Sequence, residues 1–222
     1  MYKNKKIIAI IPARGGSKGI PNKNIVKIKG KPLIAYTILS AKKSRYLDKI
    51  IVSTDSKKIA RVATSFGASV PFLRTKSLAT DNAKTIDTII YTLKKLKEKY
   101  DAVVILQPTS PLRDQHDIDK AIELFYHEKK DLVSISKIEI NPYLIRSKKK
   151  GALTNLVNHT STIRRQDLST YYKVNGAIYI NKISRLTVNT SLNDNPIGYE
   201  MNPSHSLDID TIDDLNEAKK RL

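Results

Sequence analysis

The chain has no cysteine and no tryptophan. Without thiols it can hold neither a disulfide framework nor a thiolate metal site. Phenylalanine is scarce too, and aromatic residues are not interleaved with basic ones in the way that stacks nucleobases. No apolar run approaches the length that crosses a bilayer. The basic start, Met1 to Lys6, leads through a short apolar run into Pro12-Ala13-Arg14, a poor secretory signal. The expectation is a cytoplasmic protein with no membrane partner. Acidic residues are also few, 21 against 40 lysines and arginines, for a net charge of +19. That excess suits a nucleic-acid binder, an anionic surface, or an enzyme acting on polyanionic small molecules. Much of it falls on solvent faces of predicted helices (Lys57, Lys58, Lys94, Lys97, Lys219, Lys220). The first fifty residues, however, carry thirteen Lys and Arg against only Asp48, which favours steering of a triphosphate over a nucleic-acid surface.

What is present starts with Ile7 to Asn24. The run Ile7-Ile8-Ala9-Ile10-Ile11 reads as a strand buried on both faces, as in the middle of a parallel sheet. It opens into Arg14-Gly15-Gly16-Ser17-Lys18-Gly19, followed by Pro21, Lys23 and Asn24. Glycines let backbone N–H groups approach a ligand, and cations placed among them at a strand's carboxyl end make a phosphate cradle. The spacing matches neither a Walker loop nor the dinucleotide fingerprint. A glycine turn without a ligand is the plain alternative, but such a turn does not call for Arg14, Lys18 and Lys23 together.

Further along, Pro32 opens a predicted helix to about Ser44, Lys49 to Thr54 reads as a strand, and Ser56 to Phe66 as a helix stopped by Gly67. Ser69 to Leu73 is a predicted short strand, Lys84 to Lys99 a helix, and Ala102 to Leu106 a strand opening into Gln107-Pro108-Thr109-Ser110-Pro111-Leu112-Arg113. Asp114 can cap the next helix, and Leu132 to Ile138 is again a strand. This alternation predicts one α/β layered domain over residues 1–222 with a mostly parallel sheet. From Glu139 to Thr170 the rhythm breaks, with a hairpin turn at Lys148-Lys149-Lys150-Gly151. Asn175 to Asn181 and Ile197 to Met201 are strands, and Thr211 to Leu222 closes with a helix.

Ser206-Leu207-Asp208-Ile209-Asp210 carries the second chemical signal. Alternation puts Asp208 and Asp210 on one face of an extended segment. Two like charges held together call for a cation, and Mg²⁺ bridging carboxylates and phosphates fits. Helix capping by Asp210 or Thr211 explains the same residues, and spacing alone leaves the two readings even. The four histidines match no metal spacing.

These stretches resemble the acylneuraminate cytidylyltransferases, enzymes for sialic acid and related bacterial nonulosonic acids. Arg14 to Gly19 with Lys23 and Asn24, the Gln107 to Arg113 motif, Arg165-Gln166, Asn175 to Ile180 and the Asp208/Asp210 pair match in order. The resemblance implies a Rossmann-like three-layer nucleotide-diphospho-sugar transferase fold, a homodimer, and residues 139–170 as a dimerisation and sugar-side arm. It implies CTP contacts at Ala13, Arg14, Gly15, Ser17, Lys18, Lys23, Asn24, Arg74, Ala83 and Thr85. Sugar contacts would come from Gln107, Arg165, Lys173, Tyr179 and Asp208. Arg14, Lys23, Asp208 and Asp210 would be catalytic, with Asp208 and Asp210 on Mg²⁺. Two sugar-side positions depart from the sialic-acid pattern. Lys173 stands where those enzymes have arginine, and Leu144 where they tend to have lysine, leaving Arg146 as a substitute. The alternatives are a 3-deoxy-manno-octulosonate cytidylyltransferase, a basic nucleic-acid-binding protein, and an inactive dimeric scaffold.

Overall fold

The computed structural model describes residues 1–17, 19–157 and 169–222. Its first strand, β1 (Ile7–Pro12), is buried on both faces, as the unbroken apolar run requires. A two-residue hairpin, β2 (Lys27–Ile28) and β3 (Lys31–Pro32), leads into α1 (Leu33–Lys43), then β4 (Lys49–Ser53) and α2 (Lys57–Ser65). The middle of the chain supplies α3 (Thr85–Lys95), β5 (Ala102–Leu106), α4 (Gln115–Glu128) and β6 (Leu132–Ile138). Then come a hairpin of β7 (Arg146–Lys149) and β8 (Ala152–Asn155), the long β9 (Tyr171–Lys182), β10 (Ile197–Glu200) and α5 (Ile212–Arg221).

The main sheet runs β10-β6-β9-β5-β1-β4. β1 pairs in parallel with β4 and β5, and β10 with β6, while β9 runs against both its neighbours. Side chains alternate across it. Ile7, Ala9 and Ile11 of β1 pack with α1, α2 and α4 on one face, whereas Ile8 and Ile10 pack with Ile89 of α3 on the other. The layers are helix, sheet, helix, as the alternating pattern predicts. A third small cluster of Ile20, Ile28, Leu33, Ile209, Leu215 and Ala218 joins the first turn to α5.

Helix ends follow local chemistry. Ser56 caps α2 through a bond from the Ile59 amide, and Asp114 caps α4 in a reciprocal box with Asp117. Lys150 and Gly151 both take positive φ, the backbone a two-residue hairpin needs. The structure departs from the predicted elements in three places. The stretch Ser69 to Leu73 makes only a single bridge, Ser69 to Ile51, and Pro71 has no N–H to extend it. Helix α3 stops at Lys95 because Leu96 turns extended and packs with Tyr100 against the sheet. The strand predicted at 175–181 begins earlier, at Tyr171. A register shift opposite Val133 and Ile135 breaks it, with Gly176 at φ +75°. Among the described residues no helix is long and apolar enough to cross a membrane.

Candidate active site

β1, β4 and β5 end on one rim of the sheet, the edge where open α/β folds bind ligands. The glycine turn after β1 is built by close approaches. A Cβ on Gly19 would stand 2.8 Å from the carbonyl oxygen of Asp210, so only glycine lets the two segments touch. A Cβ on Gly15 would come within 3.1 Å of Ser56 Cβ, whereas Gly16 faces open space. The turn does not offer every amide to a ligand, because the Gly15 N–H donates to Asp55 Oδ1 at 2.9 Å. Asn24 braces the turn from behind, donating from Nδ2 to the Arg14 carbonyl at 2.9 Å.

Lys23 joins the turn to the acidic segment. Its ammonium donates to the Ile209 carbonyl at 2.8 Å and to Asp210 Oδ1 at 2.9 Å. Ile209 is fully buried, and its amide donates to the Thr109 carbonyl at 2.9 Å. Asp208 and Asp210 therefore flank an anchored apolar residue. The helix cap is Thr211, which forms a reciprocal box with Asp214, so capping does not account for the Asp208 and Asp210 side chains. The Asp208 carboxylate keeps an exposed edge, yet the crowding around it is enough that desolvation raises its pKa. The Asp210 charge adds to that rise, while a Thr109 hydrogen bond and Lys23 oppose it. Two hard oxygen donors that repel each other, beside the Lys23 ammonium, suit a divalent cation such as Mg²⁺.

Two adjoining cavities open on this rim. The first, about 400 Å³, is lined by Arg14, Ser17, Lys23, Asn24, Arg74, Ala83, Thr85, Gln107 and Asp210. Predicted residues from five separate segments thus meet there. The second, about 430 Å³, shares Thr85 and Gln107 with the first and is walled by Tyr179 and residues 188–193. Tyr179 is nearly buried; its hydroxyl donates to Asn193 Oδ1 at 2.9 Å, and desolvation raises its pKa.

Other predicted site residues stand elsewhere. Ala13 is core, Gly15 lies behind the first cavity with its amide already spent, and Lys173 lines neither cavity. Lys173 is exposed on β9 beyond the register shift, opposite Ser136. Asp208 lines neither cavity directly and stands beside them, toward Gly176. Lys18 and Arg165 lie outside the described residues. Arg146 spends its Nη1 on the carbonyls of Tyr143 and Ile145.

Sequence reasoning missed several contributors. Asp81 lines the first cavity and pairs with Arg14 at 2.6 Å. Arg113 is fully buried and donates from Nη1 to the carbonyls of Gln107 and Ala177, tying the carboxyl end of β5 to the middle of β9. Burial pushes its pKa down to about 10, partly offset by Asp117. Asp55 was legible as a charge at a strand's carboxyl end, but residues 188–193 carry no local signal at all. His205, Asp114 and Asp117 form the one three-residue group of metal-ligand type among the described residues. Its atoms are occupied, in the α4 cap and in a 2.8 Å His205–Asp117 contact.

A sequence-family model described as cytidylyltransferase matches residues 8–220. The chain is 42% identical over 217 residues to the CMP-N,N'-diacetyllegionaminic acid synthase of Legionella pneumophila, covering 93% of this chain and 91% of that protein. It is 39% identical to the N-acylneuraminate cytidylyltransferase of Streptococcus agalactiae over 95% of its own length but only 52% of that protein's. The chain thus spans about half of that relative. A solved structure of CMP-2-keto-3-deoxy-manno-octonic acid synthetase complexed with CTP shares the fold, with a TM-score of 0.75, 17% identity and 97% of each chain covered. With the glycine turn, the acidic segment and the two cavities on one rim, and with a family match over nearly its whole length, the chain belongs to the cytidylyltransferase family.

Proposed function

We propose that the chain transfers CMP from CTP to the anomeric hydroxyl of a nonulosonic acid of the sialic or legionaminic type, releasing pyrophosphate. The observation that carries the reading is the Lys23 bridge, which holds the glycine turn and the Asp208–Asp210 segment at one cavity. In the reaction the sugar oxygen forms a bond to the α-phosphorus in line, and the bond to the β-phosphate bridging oxygen breaks. The chain's work is positioning and charge balance. Arg14, Ser17 and Lys23 line the first cavity and would hold the triphosphate, with Arg74, Ala83 and Thr85 on the nucleoside. Gln107 and Tyr179 line the second cavity and would orient the sugar. Asp208 and Asp210 would hold Mg²⁺, which when bound neutralises phosphate charge. Asp208, with its raised pKa, would take the proton leaving the sugar hydroxyl.

A homodimer is part of this reading. Leu144, Leu153 and Leu156 of the 139–157 arm are each more than half exposed, and Tyr172 and Val174 of β9 are exposed as well. Exposed apolar side chains on this arm would be covered by a second copy of the chain. A cytoplasmic location belongs to the same reading, since CTP is a cytoplasmic substrate. The test is pyrophosphate release and CMP-sugar formation from CTP with a panel of nonulosonic acids, including the N,N'-diacetyl and mono-N-acyl types. Product with one of them supports the reading. Absence of product with all of them, at saturating CTP and Mg²⁺, refutes it.

A further inference from the structure

We propose that Asp55 is a positioning residue for the nucleotide. One of its carboxylate oxygens holds the Gly15 amide and stands against the Arg74 guanidinium, so that turn and arginine form a single preset wall. The inference rests on the reading of the first cavity as the CTP site.

Asp55 sits between Thr54, the residue after β4, and Ser56, the cap of α2, so its backbone is held on both sides. Thr54 is buried, its carbonyl accepts from the Arg74 amide at 2.9 Å, and its hydroxyl accepts from the Ser56 amide at 3.1 Å. From that fixed point Oδ1 accepts the Gly15 N–H at 2.9 Å and lies 4.0 Å from Arg74 Nη2. The second distance is a charge contact rather than a hydrogen bond. Arg74 is the residue that needs it. Its side chain is only 4% exposed, its Nη1 donates to Thr88 Oγ1 at 3.2 Å, and its buried Nε–H has no partner among the described residues. A buried donor left unpaired beside a cavity is available to a ligand acceptor. Desolvation works against the guanidinium charge, as does nearby Arg14, and Asp55 is the group that favours it. Asp55 does not line the cavity, so it acts through its two partners.

CTP binding measured by calorimetry on the full chain tests this, with Asp55→Asn, Asp55→Ala, Arg74→Ala and the double variants. Asp55→Ala removes both contacts and is expected to weaken CTP binding about tenfold to a hundredfold, the scale of losing a partner to a charged group. Asp55→Asn keeps an acceptor for Gly15 and loses the charge, so it should fall between. In the Arg74→Ala background Asp55→Asn should cost nothing further, since coupled residues are non-additive. The KM for the sugar acid should stay at the wild-type value in both Asp55 variants. Equal loss from Asp55→Asn in the two backgrounds, or wild-type affinity in Asp55→Ala, overturns the proposal. If Asp55→Ala fails to fold, the isosteric Asp55→Asn cycle decides alone. Wild-type protein that does not bind CTP overturns this inference together with the nucleotide reading. Protein that binds CTP but makes no CMP-sugar refutes only the sugar half of the proposed function, and the Asp55 cycle still decides the inference.

Discussion

Replacing Lys23 by methionine keeps the apolar stem and deletes the ammonium, which separates the charge from the packing. Two contacts go. The bond to the Ile209 carbonyl is part-buried and charge-assisted, worth about 1.5–3 kcal/mol. The Asp210 partner is 73% exposed, so that ion pair adds no more than ~1 kcal/mol to folding. Stability should therefore drop by about 1.5–4 kcal/mol, measurable by denaturant titration. The catalytic loss should be about 10²–10³ in kcat/KM, because the proposed triphosphate site loses a preorganised charge in the transition state. A third consequence has a fixed sign. Lys23 holds the Asp208 pKa down, so Lys23→Met raises it further. If Asp208 acts as a carboxylate, activity falls as pH drops through its pKa, and the acid limb of the pH–rate profile should move to higher pH. The assay is pyrophosphate release across pH with CTP and the sugar acid that is turned over. Near-wild-type kcat/KM in a folded Lys23→Met protein, or an acid limb that stays in place, would refute the reasoning.

Other expectations follow from the same geometry. Asp210→Asn removes the charge that pushes the Asp208 pKa up, so its acid limb should shift to lower pH, opposite to Lys23→Met, and the Mg²⁺ needed for half-maximal rate should rise. An unchanged metal requirement counts against the carboxylate pair. Asp208 has its folded pKa raised above the unfolded value, so its contribution to stability is full at low pH and is lost as pH rises through the folded pKa. Asp208→Asn should accordingly raise Tm at neutral pH in metal-free buffer while abolishing turnover; a lowered Tm would contradict the desolvation argument. Gly19→Ala places a methyl 2.8 Å from the Asp210 carbonyl and must push the acidic segment away, so kcat should fall at least about tenfold with CTP binding less affected. Equal kcat in that variant would mean the contact is dispensable.

The layered fold was legible because its strands and helices differ in period and because the caps at Ser56, Asp114 and Thr211 are local chemistry. The glycine turn and the Asp208–Asp210 pair were legible as residue types at a spacing. The capping alternative for the acidic pair could not be dismissed from spacing, since Thr211 and Asp210 are both capping residues by type. Only the observed Thr211–Asp214 box decides it. Lys173 was legible only through its match to the family motif, and no count along the strand places it, because β9 shifts register near Gly176 and sets Lys173 opposite Ser136.

Sequence alone determined the element types, the buried strand β1, and the chemical character of the two active segments, because these depend on neighbours within a few residues. Tertiary structure alone decided that β9 runs against the sheet, that residues 188–193 wall the second cavity, and that Lys23 reaches the segment 186 residues away. Such contacts are set by which faces the core buries. The buried Ile209, packed with Ile20 against α5, draws the two distant stretches onto one rim.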